Sequence, residues 1–210
     1  VGLNYQTKTV DDAGTFGINN QIDSRYVEII ATGYYFNEIS GRLSNSTITL
    51  RALSDLTESG KTNVNLLTTL EIDRVRHLVV SEGMSVAQAR ETAERELFDL
   101  FHIPEIVAVS ESFDKMDITR GGDANAVLLA ISATLQGKRS EGELSELIAK
   151  IALELQTSGK IDNASIQTQI RDGGMSVDAE AVRHNLESRY KSLGITDYEI
   201  PPFEDYLDVN

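Results

Sequence analysis

The chain has 210 residues, 40% of them hydrophobic, enough to build a core as one large domain or two small ones without a covalent staple. Its 19 basic residues stand against 33 acidic ones, and the formal charge of -14 repels nucleic-acid backbones and anionic lipid surfaces. No cysteine is present, so disulfides, thiolate nucleophiles and Cys-ligated metal centres are excluded, and no apolar run approaches the roughly 20 residues that cross a bilayer.

Val1 stands where an initiator methionine would, which reads as a trimmed or processed start, so that any leader, lipid anchor or preceding domain would lie outside this sequence. Up to about residue 58 the chain is rich in β-branched and aromatic residues. Thr7–Val10 and Thr15–Ile18 flank Asp11-Asp12-Ala13-Gly14, whose Asp and Gly suit a tight turn, so a hairpin is expected there. Strands follow over Arg25–Thr32, Tyr34–Glu38 and Thr47–Leu53. In the last, Ile48, Leu50 and Ala52 alternate with Thr49, Arg51 and Leu53, the mark of a half-buried strand. So thin a sheet must be covered, either by the helices or by further strands that complete a β-sandwich.

Beyond residue 63 the spacing turns helical. Ser85 with Gln88 and Ser140 with Glu143 fit capping boxes, as does Thr68 with Glu71, although Asn65 competes as the start of that first helix. The second helix aligns Val86, Ala89, Ala93, Leu97 and Leu100 on one face and turns Arg90, Glu91, Glu94 and Arg95 toward water. An apolar helix over Ala124–Leu135 is expected at the centre, followed by one with Leu144, Leu147, Ile148, Ile151 and Leu155 on a single face. Gly83-Met84-Ser85-Val86 is echoed by Gly174-Met175-Ser176-Val177, through either a duplicated helical hairpin or independent reuse of cap residues. The tail over 197–203 contains Pro201 and Pro202 and is expected to be extended, laid over the domain or leading to another module. The sum is an α+β chain: a small antiparallel β-sheet, a partial β-sandwich, over 1–58, then a bundle of about six helices over 63–210. The linker Leu56–Thr62 is either a tether or a tucked connection.

Candidate chemistry is sparse. His77, His102 and His184 share no metal-ligand spacing, and no serine stands in a G-x-S-x-G elbow. Glu94 with Glu96 and Asp197 with Glu199 are the acid pairs a glycan hydrolase would need to converge across a cleft. Asp11–Gly14 and Thr119–Asp123 carry oxygen ligands without the spacing of a calcium loop, and Gly121-Gly122-Asp123 lacks the Lys and Ser/Thr of a phosphate loop. The acids and histidines are therefore expected to serve solubility and helix ends. In Tyr34-Tyr35-Phe36, strand alternation buries Tyr35 and exposes Tyr34 and Phe36, or the reverse, and the exposed pair would be a contact for a protein or glycan partner.

Four segments in this order, Thr15–Ile18, Tyr26–Glu38 with its Gly33-Tyr34-Tyr35-Phe36-Asn37-Glu38, Ser40–Ser44 and Asn63-Val64-Asn65-Leu66-Leu67-Thr68-Thr69-Leu70, carry a resemblance. With the Gly83-Met84-Ser85 helix start that follows, residues 9–103 resemble uncharacterised cell-envelope lipoproteins of Gram-negative gut bacteria, in which a carboxypeptidase-regulatory-like (transthyretin-like) β-module runs into a helical region. The resemblance implies export, an anchor cysteine upstream of Val1, surface or periplasmic placement, and a β-module without its leading strands. It supplies no catalytic residue and no cofactor. The expected function is a non-catalytic binding, adhesion or scaffolding module of a larger lipoprotein, with Tyr34 and Phe36 as the contact residues. The alternatives are an acid-assisted glycan hydrolase and a purely structural spacer.

Overall fold

Strand pairing and helix capping account for the order of elements in the computed structural model, which describes residues 3–57, 61–104, 107 and 111–207. The chain is α+β. It runs β1 (Tyr26–Gly33), β2 (Phe36–Asn37), β3 (Arg42–Leu43), β4 (Ile48–Asp55), α1 (Leu66–Glu82), α2 (Val86–Leu100), α3 (Asp123–Gln136), α4 (Glu141–Ser158), α5 (Ala164–Met175), α6 (Ala179–Ser192) and a 3-10 turn, Phe203–Tyr206. β1 and β4 pair antiparallel from Tyr26 opposite Asp55 to Gly33 opposite Ile48, and the short β2–β3 ladder lies between them in sequence. The expected hairpin forms its turn and a backbone bond from Val10 N–H to Thr15 O at 2.7 Å. Asp11 Oδ1 accepts the amides of Ala13 at 3.1 Å and Thr15 at 2.9 Å, but residues 7–10 and 15–18 make no ladder. Their side chains bury little, with Val10 76% exposed and Phe16 alone half-buried.

The hydrogen-bond phase of the β1–β4 ladder decides which backbone groups of β1 face away from β4. Leu56 N–H donates to Arg25 O at 2.8 Å. Antiparallel pairs alternate between bonded and non-bonded, so Val27, Ile29, Ala31 and Gly33 aim their backbone groups at β4, whereas Tyr26, Glu28, Ile30 and Thr32 aim theirs outward. On the far side of β4 the outward groups are met by helices: Arg51 N–H donates to Thr69 Oγ1 at 2.9 Å, and Leu53 O accepts from Arg90 Nη2.

Local capping chemistry sets the helix starts. Ser85 and Ser140 cap α2 and α4 with reciprocal bonds to Gln88 and Glu143, as the spacing predicts. At α1 the competing start prevails. Asn65 is the cap and Thr68 its reciprocal partner, and Asn65 Nδ2 also donates to Phe113 O at 2.7 Å, a bond open to no residue at 68. The internal echo is not a structural repeat: Gly83 closes α1 at φ 73° and Ser85 opens α2, whereas Gly174 is buried inside α5 and Asp178 opens α6. Gly173 sits hard against Thr134 O, which holds α5 on α3.

α3 is the central element, with twelve of its residues buried. Val127, Leu128, Ile131 and Leu135 join the larger core with α1, α2, α4 and α5. Ala126, Leu129 and Ala130 join a second cluster with Val182, Leu186 and Tyr190 of α6 and Phe203 of the tail. Ile48 of β4 belongs to the larger core, so sheet and helices share apolar contacts. The tail is extended over 197–202 and held down by Arg183, whose Nη2 donates to Pro201 O at 3.0 Å and pairs with Glu204. Within the linker, residues 58–60 lie outside the described residues.

Candidate functional site

The face of α1 that enters the core carries Leu67, Leu70, Arg74, Val75 and Leu78, and with them Glu71, which is 1% exposed. Glu71 is thus a core residue and not the acid of a capping box. Opposite it, α2 turns Arg90 and Glu94 inward, one helical turn apart, and the segment after residue 110 adds Asp114 at 4% exposure. The expectation that these acids serve only solubility and helix ends does not hold for this set. The reason is steric: α1 and α2 pack as neighbours, which buries Glu71 outright and leaves Glu94 half-buried.

Partners in this cluster are few. Glu94 Oε1 accepts Phe113 N–H at 3.3 Å. Asp114 accepts Ser112 Oγ at 2.8 Å and Lys115 Nζ at 3.1 Å, with Arg90 Nη1 at 3.9 Å. Glu71 Oε2 and Arg90 Nε have no partner among the described residues. Burial drives the Glu71 carboxyl well above its ordinary range, with the neighbouring Glu94 and Asp114 adding to the rise and Arg90 opposing it. Burial likewise pushes Glu94 up to about 7 against the Phe113 amide and Arg90. Both shifts favour the protonated carboxyl. Glu38, buried beneath α3, is also raised by burial and is bonded by Gln136 Nε2.

Other charges strap the sheet to the bundle. Glu28 Oε1 accepts Arg51 Nε at 2.8 Å, and Arg51 Nη1 reaches Asp73 Oδ2 at 2.8 Å. Asp73 Oδ1 then meets Arg76 Nη1 at 3.0 Å, and Arg76 Nη2 returns to Glu28 Oε2 at 3.0 Å. The four side chains close a ring joining β1, β4 and α1. The hairpin tip is fixed separately: Asn185 Nδ2 of α6 donates to Glu38 O at 2.9 Å, and its side chain fills the space over Gly41.

The residues singled out from sequence are dispersed. Tyr34 is 67% exposed, but Phe36 is half-buried against the second cluster with the Arg189 guanidinium 5.5 Å from its ring centre. β1 ends at Gly33 and β2 starts at Phe36, so the alternation that would pair Tyr34 with Phe36 on one face is interrupted. Glu94 turns to Phe113 while Glu96 pairs with Arg74, and so these two do not converge. Glu199 lies against Gly121, where a Cβ would fall 2.5 Å from its Oε2, so the chain's own carboxylate occupies the glycine-rich entry to α3. His77 approaches Glu82 at 3.7 Å, and His102 ends α2. His184 lines an open depression of about 500 Å³ with Glu187, Lys191 and Tyr198. Among the described residues no three His, Asp or Glu side chains are placed to hold a metal ion.

No family model, curated protein or solved structure matches this chain. The site is therefore argued from its own geometry. Composition and spacing place Glu71 in a cap and Glu94 beside Glu96 and leave Asp114 unmarked; the available signal was Glu71 set inside the Leu67, Leu70, Val75, Leu78 stripe. What the cluster can do is hold or release a proton between α1, α2 and the segment at Phe113. What the opposite side of the sheet can do is present β1, whose Ile30 is 63% exposed.

Proposed function

We propose that this chain is a non-catalytic binding or scaffolding module carried at the cell envelope. The observation that carries the reading is the closed ring of Glu28, Arg51, Asp73 and Arg76: charge is used to fix a thin sheet rigidly on a helical base and so present β1 and Tyr34 outward. Of the two most perturbed acids, Glu71 is buried by the packing of α1 on α2 and Glu94 accepts the Phe113 amide, an arrangement without the open cleft between two acids that the hydrolase alternative needs. Envelope placement and a lipid anchor rest on the resemblance of residues 9–103.

The test has two arms. Screening against glycosides, esters and peptides is expected to give no turnover; hydrolysis abolished by Glu94→Gln or His184→Ala overturns the reading. Fractionation of cells expressing the full reading frame is expected to place the protein with the envelope, and recovery in the cytosol overturns that part.

A further inference from the structure

We infer that the outer edge of β1 is a homotypic interface, on which two copies of this chain join their sheets antiparallel about a two-fold axis centred on Ile30. A β-strand edge of eight residues is a ready template for another strand unless it is guarded by Pro, Lys, a bulge or an inward charge. Tyr26–Gly33 contains neither Pro nor Lys and pairs with β4 along its whole length without a bulge. Its one charge, Glu28, is neutralised in place by Arg51 and Arg76. The backbone groups of Glu28, Ile30 and Thr32 point away from β4 and meet no partner among the described residues, whereas Tyr26 O accepts Ser24 Oγ at 2.7 Å. On β4 the equivalent outward groups at Arg51 and Leu53 are met by Thr69 and Arg90, so one edge of the sheet is covered and the other is open.

The pattern along β1 is self-complementary, and this selects a second copy as the occupant. The outward-facing residues are all even-numbered, so two antiparallel copies can bond only in registers that place even against even. Glu28 opposite Glu28 sets like charges face to face. Ile30 opposite Ile30 removes that conflict: Glu28 meets Thr32 of the second copy, and Tyr34 comes over Tyr26. This arrangement covers Ile30 and Tyr34, exposed at 63% and 67%. An eight-residue edge is a small interface and each copy carries a charge of -14, so the dimer is weak at low salt and tightens as salt screens the repulsion.

The chain has no cysteine, so one introduced thiol reports the register without background. Directly opposed residues of a bonded pair have Cα atoms about 5.5 Å apart, within disulfide reach, whereas Thr32 and its own copy are offset by roughly 13 Å in this register. On mild oxidation across a concentration series, Ile30→Cys is expected to cross-link at least about tenfold faster than Thr32→Cys. Sedimentation of the unmodified chain is expected to give a dimer fraction that rises with concentration and with salt. Ile30→Lys abolishes it while leaving the melting temperature unchanged. Slowed amide exchange at Glu28, Ile30 and Thr32 at high concentration supports the same pairing. A monomer at every concentration, equal cross-linking at positions 30 and 32, or a monomer that instead seats an added extended peptide along β1 overturns the proposal.

Discussion

Arg74 of α1 donates from Nε and Nη2 to the two carboxylate oxygens of Glu96 on α2, each at 2.8 Å, while its Nη1 donates to Thr157 O at the end of α4 at 2.7 Å. One guanidinium thus joins three helices, and at a helix C-terminus its charge meets the negative end of the dipole.

Removing it leaves Glu96 and the last carbonyls of α4 facing an apolar gap. Arg74→Met is expected to cost about 3 kcal/mol of unfolding free energy. Adding Glu96→Gln to it is expected to cost much less than the sum of the two single changes, read by urea denaturation in a double-mutant cycle.

The Glu71–Glu94 pair makes stability fall toward neutral pH. Burial raises Glu94 from 4.5 to about 7, so the native state keeps its proton after the unfolded chain has lost one. The associated stability is fully present below about pH 4.5 and is lost as pH rises through about 7, roughly 3 kcal/mol in all. Glu94→Gln retains an acceptor for Phe113 N–H and is expected to flatten this slope, raising the denaturation midpoint at pH 8 while changing it little at pH 4.5. A midpoint that rises equally at both pH values would contradict the assignment.

His102 ends α2 at φ 53°, the left-handed region that costs a side-chain-bearing residue about 1 kcal/mol. Ile103 N–H donates back to Phe98 O at 2.9 Å across this turn, the geometry glycine favours just past a helix end. His102→Gly is expected to raise the melting temperature by about 2 to 4 °C.

Gly173→Ala tests the contact of α5 on α3, since a Cβ there collides with Thr134 O, a backbone atom of α3 that cannot step aside. A loss of at least about 2 kcal/mol is expected in thermal or urea unfolding. Gly142→Ala in α4, where a Cβ meets nothing within 4 Å, serves as the control and is expected to be neutral or slightly stabilising.

What was legible in the sequence is what short spacing decides. Ser85 with Gln88 and Ser140 with Glu143 satisfy each other across three residues, and the faces of β4 and α4 follow from periods of two and 3.6. Asn65 wins over Thr68 because of a bond to Phe113 O, a partner far along the chain. Glu71 is buried, and Glu94 half-buried, by the meeting of two helices with Asp114, which neither helix's own pattern encodes. Phe36 is drawn inward by the break between β1 and β2, a change of direction that alternation alone does not foresee.

α3 has one flank in each apolar cluster, and the buried partners of its second flank are Val182, Leu186 and Tyr190 of α6 and Phe203 of the tail. Until residues 182–203 leave the ribosome, Ala126, Leu129 and Ala130 lack these partners. Native packing of this flank therefore waits until residue 203 has emerged, and a nascent chain stalled short of it presents a less covered flank to chaperones or to its neighbours.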